Sequence, residues 1–382
     1  MIQVFILGLV SFFVDISTEM VYPLLPIFIT GILGASVAVL GVIEGLAEST
    51  ASILKVFSGY ISDRVQKRKF LALFGYGFSW VGKIFFAIAT SWQYVFTGRI
   101  LDRIGKGIRT APRDALIADY SDKSKRGYAY GIHRSFDTLG AFTGVGIVLL
   151  IVSKTSFDFH NVQIYRNIFL LSIIPAITGW LILFAIKDKP DVSSNRQKIS
   201  LSFKNLPRKL KMFLVFTFVF ALGNSSNQFL LLKIQKDTGS LFTTLEAYLI
   251  FNLVYAALSI PCGRISDLIG QKTVLVTGYL VYGTVYWLFA GGNGIPFYFF
   301  ALGLYGFYMA LTEGVEKSLV SQLAPADMKA SLLGLHATLV GVGLLPASII
   351  TGILWQQFGP SIAFGFGGSL GIIASIGLMI IL

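Results

Sequence analysis

Gly59-Tyr-Ile-Ser-Asp-Arg-Val-Gln-Lys-Arg-Lys69 is a compact charged turn between two long apolar stretches, and Gly263-Arg-Ile-Ser-Asp-Leu-Ile-Gly-Gln-Lys272 repeats it in weaker form. Gly59, Ile61, Ser62 and Asp63 stand in register with Gly263, Ile265, Ser266 and Asp267 at an offset of 204. Two further matches share an offset of 203: Gly131-Ile-His133 with Gly334-Leu-His336, and Gly140 with Gly343. One deletion between the matches reconciles the two offsets. The chain therefore reads as an internal duplication whose unit is half its length.

Composition says what kind of halves these are. With 54% hydrophobic residues, 13% charged residues and a mean hydropathy of +0.73 over 382 residues, the chain carries more apolar surface than one soluble core can bury. It reads as a polytopic membrane protein. The net charge of +12 fits cytoplasmic loops rich in Lys and Arg better than nucleic-acid binding, because no basic patch is interleaved with exposed aromatics. A single Cys262 excludes an internal disulfide framework. No cleavable signal peptide is expected, since the first apolar stretch lacks a basic start and carries Asp15 and Glu19.

Apolar runs of about 20 residues, enough to cross a hydrocarbon core, predict twelve helices. Their spans are 3–31, 36–58, 70–90, 92–116, 128–152, 165–186, 211–232, 243–262, 273–291, 295–317, 331–353 and 360–382. Basic residues gather at Arg64 to Lys69, at Lys123, Lys125 and Arg126, and from Lys187 to Lys211, while the alternate loops hold only Lys154, Arg166, Lys233 and Lys236. This asymmetry predicts that both termini and the charged turns face the cytoplasm of a cell membrane. The polar stretch 187–210 reads as a cytoplasmic linker between six-helix halves at 1–186 and 211–382.

Two six-helix halves, a linker and a turn of the type Gly-x-x-x-Asp-Arg between helices two and three resemble the major facilitator superfamily along the whole chain. Gly59, Asp63, Arg64, Arg68 and Lys69 fit the family's signature turn, whereas Gln66 replaces its second Gly, and Leu268 replaces the Arg in the second copy. Asp15-Ile-Ser-Thr-Glu-Met-Val-Tyr-Pro-Leu-Leu-Pro26 is similar to the first helix of drug/proton antiporters in that superfamily, and Gly140-Ala-Phe-Thr-Gly-Val-Gly146 resembles their Gly-rich fifth-helix motif without its Pro. Arg99 looks like the family's intramembrane Arg. The resemblance implies an all-α fold of two pseudo-symmetric bundles in which helices one, four, seven and ten line a central cavity. It also implies that Asp63, Arg64, Arg68 and Asp267 act in gating.

An ionisable side chain at the bilayer centre costs roughly 2.5 to 3.5 kcal/mol even on lenient insertion scales, so each needs a partner, water or a function. Asp15 and Glu19 lie four apart on one face of the first helix. A close, poorly solvated carboxylate pair suits a proton carrier; pairing with a neighbouring cation is the alternative. In the fourth helix Arg99, Arg103 and Lys106 form a stripe with Asp102 one step off it. The stripe either locks the first half or meets an anionic substrate. Glu44, Glu48 and Lys55 on helix two, and His133, Arg134 and Asp137 on helix five, read first as interhelical pairs. His133 suits a proton relay, but its repeat partner His336 makes inheritance from the duplication an equal explanation.

Asn224-Ser-Ser-Asn-Gln228 places five consecutive polar residues in the seventh helix, more than one packing contact needs. Asn224, Asn227 and Gln228 are therefore cavity candidates, with Tyr22 from the first helix. Glu313 and Glu316, near the cytoplasmic end of helix ten, join the gate candidates, Glu313 being placed to pair with Lys317. No nucleotide-binding Gly-x-x-x-x-Gly-Lys-Ser/Thr motif occurs, no Cys/His cluster suggests a metal, and His133, His160 and His336 are scattered. The expected function is a secondary active transporter with no cofactor, working as a monomer on a small molecule, with protons as coupling ion and efflux by antiport as direction. Proton symport or uniport of an anionic metabolite is the alternative. A non-transporting receptor or scaffold gives no reason for so much buried charge.

Overall fold

The computed structural model covers residues 2–65, 67–121, 126–154, 161–187, 206–324 and 329–381, with side chains at all of these except 63–65, 126–128, 321 and 329–331. Among the described residues the chain is helical throughout, with short connections. The helices are α1 (Ile2–Val21), α2 (Val37–Val65), α3 (Arg68–Ala87), α4 (Trp92–Asp119), α5 (Arg126–Lys154), α6 (Val162–Ile182), α7a (Arg208–Gly223), α7b (Gln228–Thr238), α8 (Leu241–Ile269), α9 (Gln271–Gly291), α10 (Ile295–Leu323), α11 (Lys329–Phe358) and α12 (Pro360–Ile381). Within lipid, helices satisfy their own backbone polar groups, so spans of this length form wherever a run is apolar enough. Eleven spans among the described residues meet that requirement. The twelfth helix, α4, is long enough but too charged to qualify by composition.

Contacts divide the chain into two units, Met1–Ala35 with Leu46–Asn195, and Ser36–Gly45 with Arg196–Leu382. Most of the linker predicted at 187–210 lies outside the described residues. In the first unit α1 packs on α5 and α6, and α3 on α4 and α6; in the second α7a packs on α11 and α12, and α9 on α10 and α12. Each pair in one unit has its counterpart six helices later, as a duplication requires. The first unit's core includes Val4, Leu7, Val10 and Val14 of α1 against Ala72 and Tyr76 of α3 and Leu116 and Ile117 of α4.

Three local departures from the predicted helices matter. The charged turn is mostly helix: α2 continues to Val65 and α3 begins at Arg68, because nothing between Tyr60 and Val65 interrupts a helix. In the second copy α8 runs to Ile269 and stops at Gly270, whose φ of 92° only glycine adopts readily. The seventh helix, predicted as one span over 211–232, is interrupted at Asn224 to Asn227. Asn and Ser side chains compete with the helical ladder for backbone groups, and neighbours take up those left over. Ser348 Oγ accepts from Ser226 N–H (3.2 Å), and Tyr282 Oη donates to the Gly223 carbonyl (2.7 Å). The first helix changes at the corresponding place: beyond Val21 it continues as a 3-10 turn, Tyr22–Leu24, around Pro23, and then as a π turn at Phe28–Ile32. The 203-residue offset sets Val21 to Leu24 against Asn224 to Asn227.

Candidate functional site

The first unit holds the chemistry. Helices α1 and α5 run in the same direction, as the matched steps Gly8 to Phe136, Phe12 to Gly140 and Ile16 to Gly144 show. A Cβ on Gly140 would lie 2.5 Å from the Phe12 carbonyl oxygen, and one on Gly144 would lie 2.5 Å from that of Ile16, so these two positions admit only glycine at this spacing. The close approach seats α5 directly against the turns of α1 that carry Asp15 and Glu19, whose Cβ atoms lie 3.1 Å from those same built positions.

Along this seam Ser11 Oγ and His133 Nε2 are hydrogen-bonded at 2.7 Å, and His133 Nδ1 stands 3.5 Å from Asp137 Oδ2. Asp15, on the facing helix, is close enough to Asp137 for the two charges to interact. Helix α4 supplies the cations: Arg113 Nη1 donates to Ser11 Oγ (3.4 Å) and Arg113 Nη2 to Asp114 Oδ1 (2.9 Å), while Arg109 lies over the Tyr76 ring at 4.6 Å and donates to Ser79. The connectivity Ser11, His133, Asp137 matches that of a hydrolase triad. Here, however, Ser11 and His133 are buried between membrane helices, and Ser11 already meets a guanidinium.

A second network joins α2, α3 and α4. Glu48 Oε1 receives both Arg99 (3.2 Å) and Arg103 (3.1 Å), and Arg99 lies 5.3 Å from the centroid of the Tyr22 ring. Asp102 Oδ2 faces Arg103 at 3.1 Å and Arg99 at 3.8 Å, while Asp102 Oδ1 stands 4.0 Å from Lys83 Nζ. Neither of those last two atoms makes a hydrogen bond among the described residues. Lys106, the third cation of the predicted stripe, is exposed.

In the second unit tyrosines stand where the first unit has charges. Asn227 Oδ1 accepts from Tyr305 (2.7 Å), Asn224 Nδ2 donates to Tyr308 (3.5 Å) and Ser225 meets Tyr286 (3.2 Å). Glu44, on the part of α2 that belongs to this unit, accepts from Ser226 Oγ at 3.0 Å. Gln228 is wholly buried, with no hydrogen bond to either amide atom among the described residues.

Of the predicted gate residues, the side chains of Asp63 and Arg64 lie outside the described residues. Arg68 bonds Asp119, and Asp267 is exposed. Glu313 accepts from Tyr255 on α8, and Glu316 holds His336 at 3.2 Å and Tyr279 at 2.9 Å. His160 lies outside the described residues. The sequence reading overlooked Lys83, Arg109 and Arg113. Steps of three and seven residues on from Lys106 would have reached the two arginines, but Lys83 stands alone in an apolar run.

Comparison with known proteins agrees with this architecture. An uncharacterized MFS-type transporter of Methanocaldococcus jannaschii is 38% identical over 99% of this chain and 94% of its own length, and one of Bacillus subtilis is 21% identical over 51% of this chain and 45% of its own. Among solved structures, a nucleoside transporter superposes with a TM-score of 0.81 at 14% identity, covering 100% of this chain and 99% of that one, and a D-xylose-proton symporter with 0.75 at 15%, covering 99% and 97%. The Major Facilitator Superfamily model matches residues 7–216 and 212–382, and with it the duplicated twelve-helix fold is accounted for: the chain belongs to the major facilitator superfamily of multi-pass membrane transporters.

Proposed function

We propose that the protein is a proton-coupled secondary transporter that moves a small solute by alternating access, exporting it in exchange for protons. The observation that carries this reading is the acidic seam between α1 and α5, where Asp15 packs at the Gly140 turn and Asp137 stands 3.5 Å from His133, with Ser11 and Arg113 beside them. Ionisable groups inside a membrane span mark functional sites by default, proton relays among them. Glu19, one turn further along α1, is the neighbouring acid on the same seam. The protein is proposed to act as a monomer in the cell membrane with both termini cytoplasmic.

Proton flux into proteoliposomes under an imposed pH gradient, read by an internal dye while cationic, anionic and neutral solutes are added, tests the reading. Solute-dependent collapse of the gradient in the wild type, lost in Asp15→Asn, is the expected result. Equilibration of labelled solute with no proton movement overturns it. A second reading, proton symport or uniport of an anionic metabolite, is favoured by Arg99, Arg103 and exposed Lys106 on one stripe of α4. In the same assay symport would let only anions collapse the gradient, moving in with protons, and uniport would let labelled anions equilibrate with no proton movement.

A further inference from the structure

We propose that His133 and Ser11 form a proton relay that loads and unloads the Asp15/Asp137 carboxyl pair. The proposal rests on the proton-coupled reading above and adds a route to it. Asp137 lies one helical turn beyond His133 on α5, and Asp15 one turn beyond Ser11 on α1; both helices run in the same direction, and Asp15 sits beside Gly140, so Ser11 is level with Asp137, Asp15 one turn above and His133 one turn below. The rung that joins the two helices is the contact between His133 and Ser11. The contacts along the relay are 3.5 Å from Asp137 Oδ2 to His133 Nδ1 and 2.7 Å from His133 Nε2 to Ser11 Oγ.

In the unloading direction Asp137 gives its proton to Nδ1 while Nε2 gives one to Ser11 Oγ, and the serine releases its own hydroxyl proton to water. Imidazole and hydroxyl are both neutral again afterwards, with the ring in its other tautomer, and the reverse transfer restores it. The exposed end of this cluster is on α4. Arg113, which donates to Ser11, is bound to Asp114, whose side chain is 38% exposed. The charged groups around the rung are Asp137 and Arg134 on its own helix and Arg113, Arg109 and Asp114 on α4; α1 contributes Asp15 and Glu19. A buried histidine that only braced α1 against α5 would need one hydrogen bond. His133 has a partner on each ring nitrogen, and one of them is the acid to be served.

Infrared spectroscopy of the reconstituted full chain, following the carboxyl C=O stretch through a jump from H2O to D2O, tests this without a known solute. In the wild type a band lost in both Asp15→Asn and Asp137→Asn shifts promptly. In His133→Gln and in Ser11→Ala the same band is retained and its shift slows by about tenfold or more. Loosening of the seam would instead admit water and speed the exchange. An unchanged or faster shift in both variants overturns the relay while leaving the proton-coupled reading standing. Absence of any such band in the wild type overturns both.

Discussion

Asp102 and Lys83 stand 4.0 Å apart, yet their removal has opposite consequences. Asp102 faces three cations in a buried network, so Asp102→Asn leaves Arg99 and Arg103 to share Glu48 and takes the facing acid from Lys83, at a cost of about 3 to 5 kcal/mol. Lys83 contributes a charge that makes no hydrogen bond among the described residues, and replacing it with an apolar side chain of similar length removes a desolvated cation. Lys83→Met is expected to stay within about 1 kcal/mol of the wild type or to gain stability. Thermal unfolding in detergent measures both, and a larger loss for Lys83→Met than for Asp102→Asn contradicts the network as described. In the proposed proton site the two acids, Asp15 and Asp137, act as one unit. Asp137→Asn is expected to lower solute-dependent proton flux about as far as Asp15→Asn does, by roughly tenfold or more, and the double variant to fall no further. Additive losses in the dye assay would show two independent sites.

Helix faces decide how closely such groups meet. A methyl on Gly144 collides with the backbone oxygen of Ile16, which cannot step aside, whereas one on Gly146 meets nothing within 4 Å. Gly144→Ala is therefore expected to destabilise by about 1 to 3 kcal/mol, and Gly146→Ala to be neutral or to gain up to about 1 kcal/mol from helix propensity. Melting temperatures of the two variants give the comparison, and similar losses in both would rule out the seam as the reason. The Gly-rich run is visible in the sequence, but which of its glycines faces α1 is a property of the packed pair. Partners across the seam were out of reach for the same reason. Asp137 was legible as an acid on helix five, while its neighbours Asp15 and Ser11 are more than 120 residues away. The interruption of the seventh helix was likewise hidden, because five polar residues in a row read equally as a wet face or as a break until Ser348 and Tyr282 take up the freed backbone groups.

At the level of the whole molecule the duplication was readable because paired glycines, histidines and aspartates kept their spacing, and eleven of the twelve spans follow from apolar run length, α4 being the charged exception. An even number of spans returns the chain to its starting side. Cysteines placed at residues 2 and 381 in a Cys262→Ser background are expected to react with an impermeant maleimide in inside-out vesicles only; labelling of just one of them would remove or add a crossing. The halves have nevertheless diverged in content. The offset that relates His133 to His336 also relates Tyr76 to Tyr279, Lys83 to Tyr286 and Asp102 to Tyr305, so hydroxyls occupy the second unit where ions occupy the first. The charged helix α4 also bears on how the protein is made. With Arg99, Asp102, Arg103, Lys106, Arg109 and Arg113 along its length, and roughly 2.5 to 3.5 kcal/mol against each charge near the bilayer centre, α4 does not leave the translocon for lipid as a lone segment. Entry together with α2 and α3, which bring Glu48 and the Ser79 and Tyr76 contacts, is the expected route, with release of a helical group rather than of one helix at a time.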